Sequence, residues 1–312
     1  MRALVTGATG FLGSHLVGHL VRQGNAVAVL VRPGSDRWRI HESLPDVRIL
    51  EGDLTSVDSW AADAAEFCPE TVFHLGWRGV GNRHRNDATQ LEGNVQAAVG
   101  LARLSVRLGC RAFVGLGSQA EYGPHEGTLD ETASTSPTTL YGAAKLAAYH
   151  LCRVTLQPTS VRFAWLRLFS CYGPKDNPEW LIPSLISTLL ERRLFSLTAG
   201  QQLWDYVFVT DAVRAIARVG ACDEAQGAFN LGSGTALPLR WIVETVRDLI
   251  DPGLPLGFGE VPYRPDQVMH LEADISRLRQ IVGWEPQVTL ADGLARTIDW
   301  LAGNRRQRGV AA

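Results

Sequence analysis

Tyr141 and Lys145 lie four residues apart in Tyr141–Gly142–Ala143–Ala144–Lys145. On a helix this spacing places a phenol and an ammonium on one face, close enough to interact. A free tyrosine, with a pKa near ~10, is a poor proton donor or acceptor at neutral pH. A neighbouring cation favours the phenolate and draws the group toward the working range. Upstream, Gly115–Leu116–Gly117–Ser118 ends an apolar run on a hydroxyl that can donate to the same substrate oxygen as Tyr141. A YxxxK pair alone is common on protein surfaces. Serine, tyrosine and lysine in this order, behind a glycine-rich opening, make Ser118, Tyr141 and Lys145 the candidate catalytic residues.

The opening is Gly7–Ala8–Thr9–Gly10–Phe11–Leu12–Gly13, directly after an apolar run and ahead of a helical pattern. Glycines suit a turn with unusual backbone angles and let the chain approach a pyrophosphate, to which a helix N-terminus offers oriented N–H groups. Gly7, Thr9, Gly10, Phe11, Leu12 and Gly13 are therefore candidate binders of a dinucleotide, with Tyr141 and Lys145 beside its nicotinamide end. An acidic residue about 20 positions on would hold the ribose 2′-hydroxyl of NAD. This chain instead has Val31 and Arg32, with Arg37 nearby. Arginine accommodates a 2′-phosphate, so NADP(H) is favoured; NAD(H) is the alternative if Arg32 is only a solvated charge. Asp53, Leu54 and Leu75 follow later apolar runs and are assigned to the cofactor, Asp53 at the adenine edge. A plain turn aspartate is the competing reading of Asp53.

Groups so far apart in sequence need a sheet to bring them together. Ala3–Val5, Ala26–Val31, Val47–Leu50, Thr71–Leu75, Ala112–Leu116 and Ala164–Phe169 read as buried strands. Between them, Leu12–Gln23, Gly93–Leu108 and Tyr141–Thr155 are amphipathic. This alternation predicts an α/β chain: a Rossmann, doubly wound parallel sheet over 1–170, with a smaller C-terminal substrate-binding lobe over 171–312. A helix is expected at Pro183–Arg192, returns to the sheet at Val207–Val209 and Ala228–Leu231, and a frayed tail at Asn304–Ala312. Among 312 residues, 46% are apolar and 20% charged, with a formal net charge of -2. That balance argues against a nucleic-acid or membrane-binding face. Five dispersed cysteines without a CxxC pair fit reduced thiols, and the first residues lack a leader pattern, so a cytoplasmic protein without a metal site is expected.

Gly7, Gly10, Gly13, Ser118, Tyr141 and Lys145 together resemble the extended short-chain dehydrogenase/reductases, the epimerase/dehydratase group that modifies sugar nucleotides. The resemblance extends through Glu121–Tyr122–Gly123, Phe169–Ser170–Cys171–Tyr172–Gly173–Pro174, Trp180–Leu181–Ile182–Pro183 and Trp204–Asp205–Tyr206–Val207–Phe208–Val209–Thr210–Asp211. It continues in Phe229–Asn230–Leu231–Gly232–Ser233–Gly234, Tyr263–Arg264–Pro265 and Gly283–Trp284–Glu285–Pro286. It implies a sugar-nucleotide substrate and a homodimer formed through two helices per subunit. Relatives that act as 4,6-dehydratases carry Asp–Glu after the catalytic hydroxyl; Gln119 and Ala120 stand there, so 4,6-dehydration is not expected. Ser170 replaces a common asparagine and Trp204 a diphosphate-pairing arginine, whereas Arg264 matches another. Ser118, Gln119, Ser170, Trp204 and Arg264 are the candidate substrate contacts.

The expected reaction is NADPH-dependent reduction of a 4-keto-6-deoxy sugar nucleotide, because ketoreduction consumes the usual cellular reductant. NAD-dependent 4-epimerisation is the alternative, and a non-catalytic dinucleotide sensor a weaker one, since Tyr141 and Lys145 are both present. A decarboxylase would need a further basic residue that the sequence does not reveal. His74 reads as structural, and His15 with His19 as packing or solvent-facing. Trp77, Arg78, Arg83, His84 and Arg85 sit in a glycine-containing loop that either closes over substrate or is merely solvated. Asn94 is a candidate support for the active site.

Overall fold

The computed structural model describes residues 1–264 and 267–307; Pro265 of the Tyr263–Arg264–Pro265 motif lies outside them. Seven parallel strands form the central sheet: Arg2–Thr6 (β1), Ala26–Val31 (β2), Val47–Glu51 (β3), Thr71–His74 (β4), Ala112–Ser118 (β5), Arg162–Leu168 (β7) and Gly227–Leu231 (β11). The short strand Thr128–Leu129 (β6) lies outside it, between β5 and β7 in the chain. The sheet order is β11-β7-β5-β4-β1-β2-β3. Chain direction of assembly reverses between β1 and β4, and such a switch point opens a ligand crevice beyond the strands' carboxyl ends.

Both sheet faces are covered, which is why its strands read as continuous apolar runs. One core layer holds Leu16, Val17 and Leu20 of Phe11–Arg22 (α1). The other includes Ala64 of Ala61–Phe67 (α2), Leu101 and Ala102 of Gln96–Arg107 (α3), and Ala148 and Cys152 of Leu140–Leu156 (α4). Tyr141, Lys145, Ala148 and Cys152 form one buried stripe of α4. The periodicity that packs this helix thus also aims the phenol and ammonium inward. Thr139 accepts from the Gly142 amide at 3.1 Å and caps the helix.

The second half departs from expectation in one respect. Of the two predicted returns to the sheet, Gly227–Leu231 pairs with β7, but the Val207–Val209 segment does not join. Residues through Phe208 belong to Leu203–Phe208 (β10), which pairs with Ser170–Tyr172 (β8), Ala236–Pro238 (β12) and His270–Ala273 (β14) in a separate sheet. Its β-propensity was legible, but its partners are distant short segments. Phe195–Leu197 (β9) and Leu256–Phe258 (β13) make a further two-stranded pair. The helices Leu181–Leu190 (α5), Val209–Ala221 (α6), Leu239–Ile250 (α7) and Leu290–Gln307 (α8) complete the chain. Helix α8 includes Asn304–Gln307, expected to be frayed; residues 308–312 are outside the described set.

Candidate active site

At the switch point the Thr6 hydroxyl meets His74 Nδ1 at 2.9 Å, and the Leu75 amide donates to Thr6 O at 3.2 Å, tying β1 to β4. Gly7 follows with φ +73°, and a Cβ there would lie 2.6 Å from the Gly76 amide nitrogen. At Gly13 a Cβ would stand 2.0 Å from Gly7 O. Both positions require glycine for the loop to close. Gly10 differs, since its Cβ would meet only Gly7 O, at 3.1 Å. It is the N-cap of α1 and supplies no side-chain acceptor, so the helix's first N–H groups remain available to an anion. This loop of Thr9, Phe11 and Leu12 around the glycines therefore fits a dinucleotide pyrophosphate.

Arg32 is exposed at the end of β2, and its charge helps lower the Asp53 pKa. The Asp53 carboxylate already has protein partners: the Thr55 amide at 2.9 Å, the Thr55 hydroxyl at 2.7 Å and the Arg78 guanidinium. It caps the turn Leu54–Ser59, the structural alternative weighed for it. Arg37 pairs with Glu51 at 2.6 Å.

Ser118, Tyr141 and Lys145 come together beyond the end of β5. All three are buried, and the Ser118 hydroxyl beside the phenol favours the Tyr141 phenolate. Lys145 Nζ donates to Leu116 O at 2.6 Å and lies 6.0 Å from the Tyr141 ring centroid. Burial lowers the Lys145 pKa to about 7, opposed by the charge of Glu121. Burial raises the Tyr141 pKa, while the Ser118 hydroxyl and the Arg85 charge lower it and Glu121 raises it. Without ligand, burial thus favours the neutral form of each group, as desolvation must. Gln119 follows Ser118 in a single turn, Gln119–Glu121.

The loop after β4 packs on this pair. The Trp77 ring lies 3.8 Å from Lys145 Nζ and meets the Tyr141 ring edge-on at 6.3 Å. Its indole N–H donates to Gln90 Oε1 at 2.8 Å, and Gln90 Nε2 donates to Gly79 O and His84 O. Asn94 exchanges two hydrogen bonds with the Arg78 backbone. Arg85 O accepts from the Tyr141 amide at 2.8 Å, and its guanidinium carbon is 5.6 Å from the Tyr141 ring. The loop is a stapled wall of the site, a role that its composition did not disclose.

Glu121, in the segment Glu121–Tyr122–Gly123, has no role that its sequence context alone assigns. It is fully buried and accepts from the Ser118 amide, Trp165 Nε1 and Arg167 Nε, each at 2.9 Å. The signal was Gly115 and Gly117, since glycines inside a strand mark a close approach. A Cβ at Gly115 would lie 2.2 Å from the Trp165 ring, and one at Gly117 2.4 Å from Glu121 Oε1.

The candidate substrate contacts scatter more widely. Ser170 is half-buried opposite Tyr206 in β8–β10. Trp204 stacks on Tyr206 with ring centroids 6.3 Å apart, and its buried indole N–H has no hydrogen-bond partner among the described residues. Both rings line a cavity of about 280 Å³ with Ser233, Leu237 and the segment 286–290. Arg264 is exposed. Asp205, beside Trp204, is structural: it accepts from the amides of Ser233, Gly234 and Ala273. All five cysteines are unpaired. Among the described residues, no cluster of His, Cys, Asp or Glu could hold a metal, and no helix is long and apolar enough to cross a membrane.

A family model described as "NAD dependent epimerase/dehydratase family" matches residues 3–232. A UDP-glucose 4-epimerase of Mycolicibacterium smegmatis is 29% identical, over 96% of this chain and 98% of that protein. A dTDP-glucose 4,6-dehydratase from Streptomyces venezuelae, solved with NAD and TYD bound, superposes with a TM-score of 0.87 at 26% identity, covering 98% of each chain. The UDP-glucose 4-epimerase of Thermus thermophilus in complex with NAD gives a TM-score of 0.85 at 25% identity, over 97% of this chain and 99% of that one.

Proposed function

The chain belongs to the NAD-dependent epimerase/dehydratase family, and we propose that it carries out oxidoreduction at C4 of a hexose linked to a nucleoside diphosphate, without 4,6-dehydration. The observation that carries this reading is the buried Ser118–Tyr141–Lys145 cluster followed by Gln119 and Ala120, whose side chains can neither take nor give the protons that dehydration moves.

When bound, the nicotinamide supplies the hydride donor or acceptor. The chain's own residues manage the proton. Tyr141 exchanges it with the C4 oxygen, to which Ser118 donates the one hydrogen bond of its hydroxyl. Lys145 holds the nicotinamide ribose and adds positive charge, as does Arg85 from the opposite loop. Trp77 and the stapled loop exclude water, which strengthens each of these interactions. The Gly7–Gly13 loop holds the pyrophosphate, and Arg264 and Trp204 are the proposed nucleotide-sugar contacts. Two copies pair through α3 and α4, where Val106, Leu151 and Val154 leave apolar surface exposed.

For the net reaction, Arg32 favours NADPH and so reduction of a 4-keto-6-deoxy sugar nucleotide. The epimerase relative and the NAD-bound neighbours favour a second reading, NAD-dependent 4-epimerisation. Many-turnover assays with dTDP-4-keto-6-deoxyglucose and with UDP-glucose separate them. Stoichiometric NADPH consumption with the keto sugar supports reduction. A C4 epimer formed from UDP-glucose with no net cofactor change contradicts reduction and supports epimerisation.

A further inference from the structure

We propose that Glu121 is a positioning residue of this site: it clamps Ser118 through the main-chain amide and sets a fixed negative charge behind Tyr141 and Lys145. The inference rests on the proposed roles of those three residues and adds what holds and biases them.

The clamp is built from three strand-and-helix elements. One carboxylate oxygen of Glu121 accepts both the Ser118 amide and Trp165 Nε1, and the other accepts Arg167 Nε. Trp165 and Arg167 project from β7, which pairs with β5 so that Gly117 faces Arg167 and Ser118 faces Leu168. The Arg167 guanidinium is sandwiched, 4.5 Å from the Tyr122 ring and 5.4 Å from that of Tyr149. Tyr149 belongs to α4, one turn beyond Lys145. Gly115 and Gly117 leave just the room that this indole and carboxylate fill. A carboxylate with no exposed surface, beside a serine amide at the active site, has no solvent to screen its field.

The charges facing the pair come from every element around it. Lys145 has His74 of β4 and Glu121 near it; Tyr141 has Lys145 one turn on, Arg85 of the loop after β4, and Glu121. Glu121 alone among these favours the protonated form of both groups, the phenol and the ammonium. That bias suits a site that hands a proton to a new alkoxide. Arg167 pairs with the far oxygen of the same carboxylate at 2.9 Å and offsets part of this field, so the bias at Tyr141 is that of an ion pair whose anionic end holds the Ser118 amide.

The test is the ionisation of Tyr141 in the full-length protein saturated with NAD. It is read as the phenolate absorbance difference between each background and the same background carrying Tyr141→Phe. In Glu121→Gln the Tyr141 midpoint should fall by about one pH unit, a roughly tenfold gain in phenolate at fixed pH. The pH window of turnover should move the same way, with kcat changed more than KM. Glu121→Asp, which keeps the charge, should restore the midpoint. If Glu121→Gln does not fold, Glu121→Gln/Arg167→Gln leaves no unpaired buried charge and should show a smaller shift in the same direction. A midpoint equal to that of the wild type in the folded neutral variant overturns the proposal, whatever its effect on thermal stability. The titration needs no substrate, so a wild-type protein inactive on sugar nucleotides would contradict the proposed function and still leave Glu121 judged.

Discussion

Exposed at the end of β2, Arg32 acts by its charge on Asp53, but that carboxylate is held by Thr55 and Arg78. An arginine free to swing onto a 2′-phosphate makes a charge-assisted contact that a 2′-hydroxyl cannot match. Arg32→Glu should therefore weaken NADPH binding by about tenfold to a hundredfold, the loss of one hydrogen bond to a charged group, and leave NADH binding equal or better. Isothermal titration with both cofactors reads this directly; unchanged NADPH affinity would make Arg32 a bystander. At this scale the sequence was legible where chemistry dictates residue type, as for Ser118, Tyr141 and Lys145. It was silent where the role depends on what packs behind a group. Glu121 has no visible role until β7 encloses it, and Arg85 none beyond that of a loop charge until the loop after β4 sets it beside the Tyr141 ring.

Among the elements, the glycine loop before α1 separates packing from binding. Gly13→Ala drives a methyl group into Gly7 O and should destabilise the fold by about 1–3 kcal/mol, as overpacking does. Gly10→Ala needs only a slight adjustment of the same oxygen, so its melting temperature should stay near that of the wild type while cofactor affinity falls. Thermal melts with and without NADPH distinguish the two; equal destabilisation would mean that Gly10 also serves packing. Parallel strands buried on both faces announce themselves as apolar runs, so β1 to β5 were readable within a residue or two. Strands β8, β12 and β14 are three or four residues long and exist through distant partners. For that reason β10 was assigned to the wrong sheet.

Over the whole molecule, stability should depend on pH through the buried His74 and the half-buried His15. Burial lowers the His74 pKa to about 3 and the His15 pKa to about 4, from 6.5. A folded pKa below the unfolded one contributes stability present above about 6.5 and lost as pH falls toward the folded values. Melting temperature should therefore drop between about pH 6.5 and 4, and His15→Gln, which can still donate to Pro174 O, should make that drop shallower. An identical slope in the variant would remove His15 from the account. The exposed apolar residues Leu151 and Val154, 48% and 58% accessible on α4, give the assembly its test. Leu151→Glu/Val154→Glu should convert a dimer to a monomer in light scattering while cofactor binding persists; a wild-type monomer would contradict the pairing.

The central claim is that Tyr141, with Ser118 and Lys145, supports oxidoreduction at a sugar C4. Its most direct test is conversion of dTDP-4-keto-6-deoxyglucose or UDP-glucose by the cofactor-loaded protein, read as loss of reduced-nicotinamide absorbance for reduction and as the C4 epimer formed for epimerisation. The account predicts a change with at least one of them, slowed about 10²–10⁴-fold by Tyr141→Phe with cofactor binding intact. No change with either substrate, or an undiminished rate in Tyr141→Phe, would contradict it.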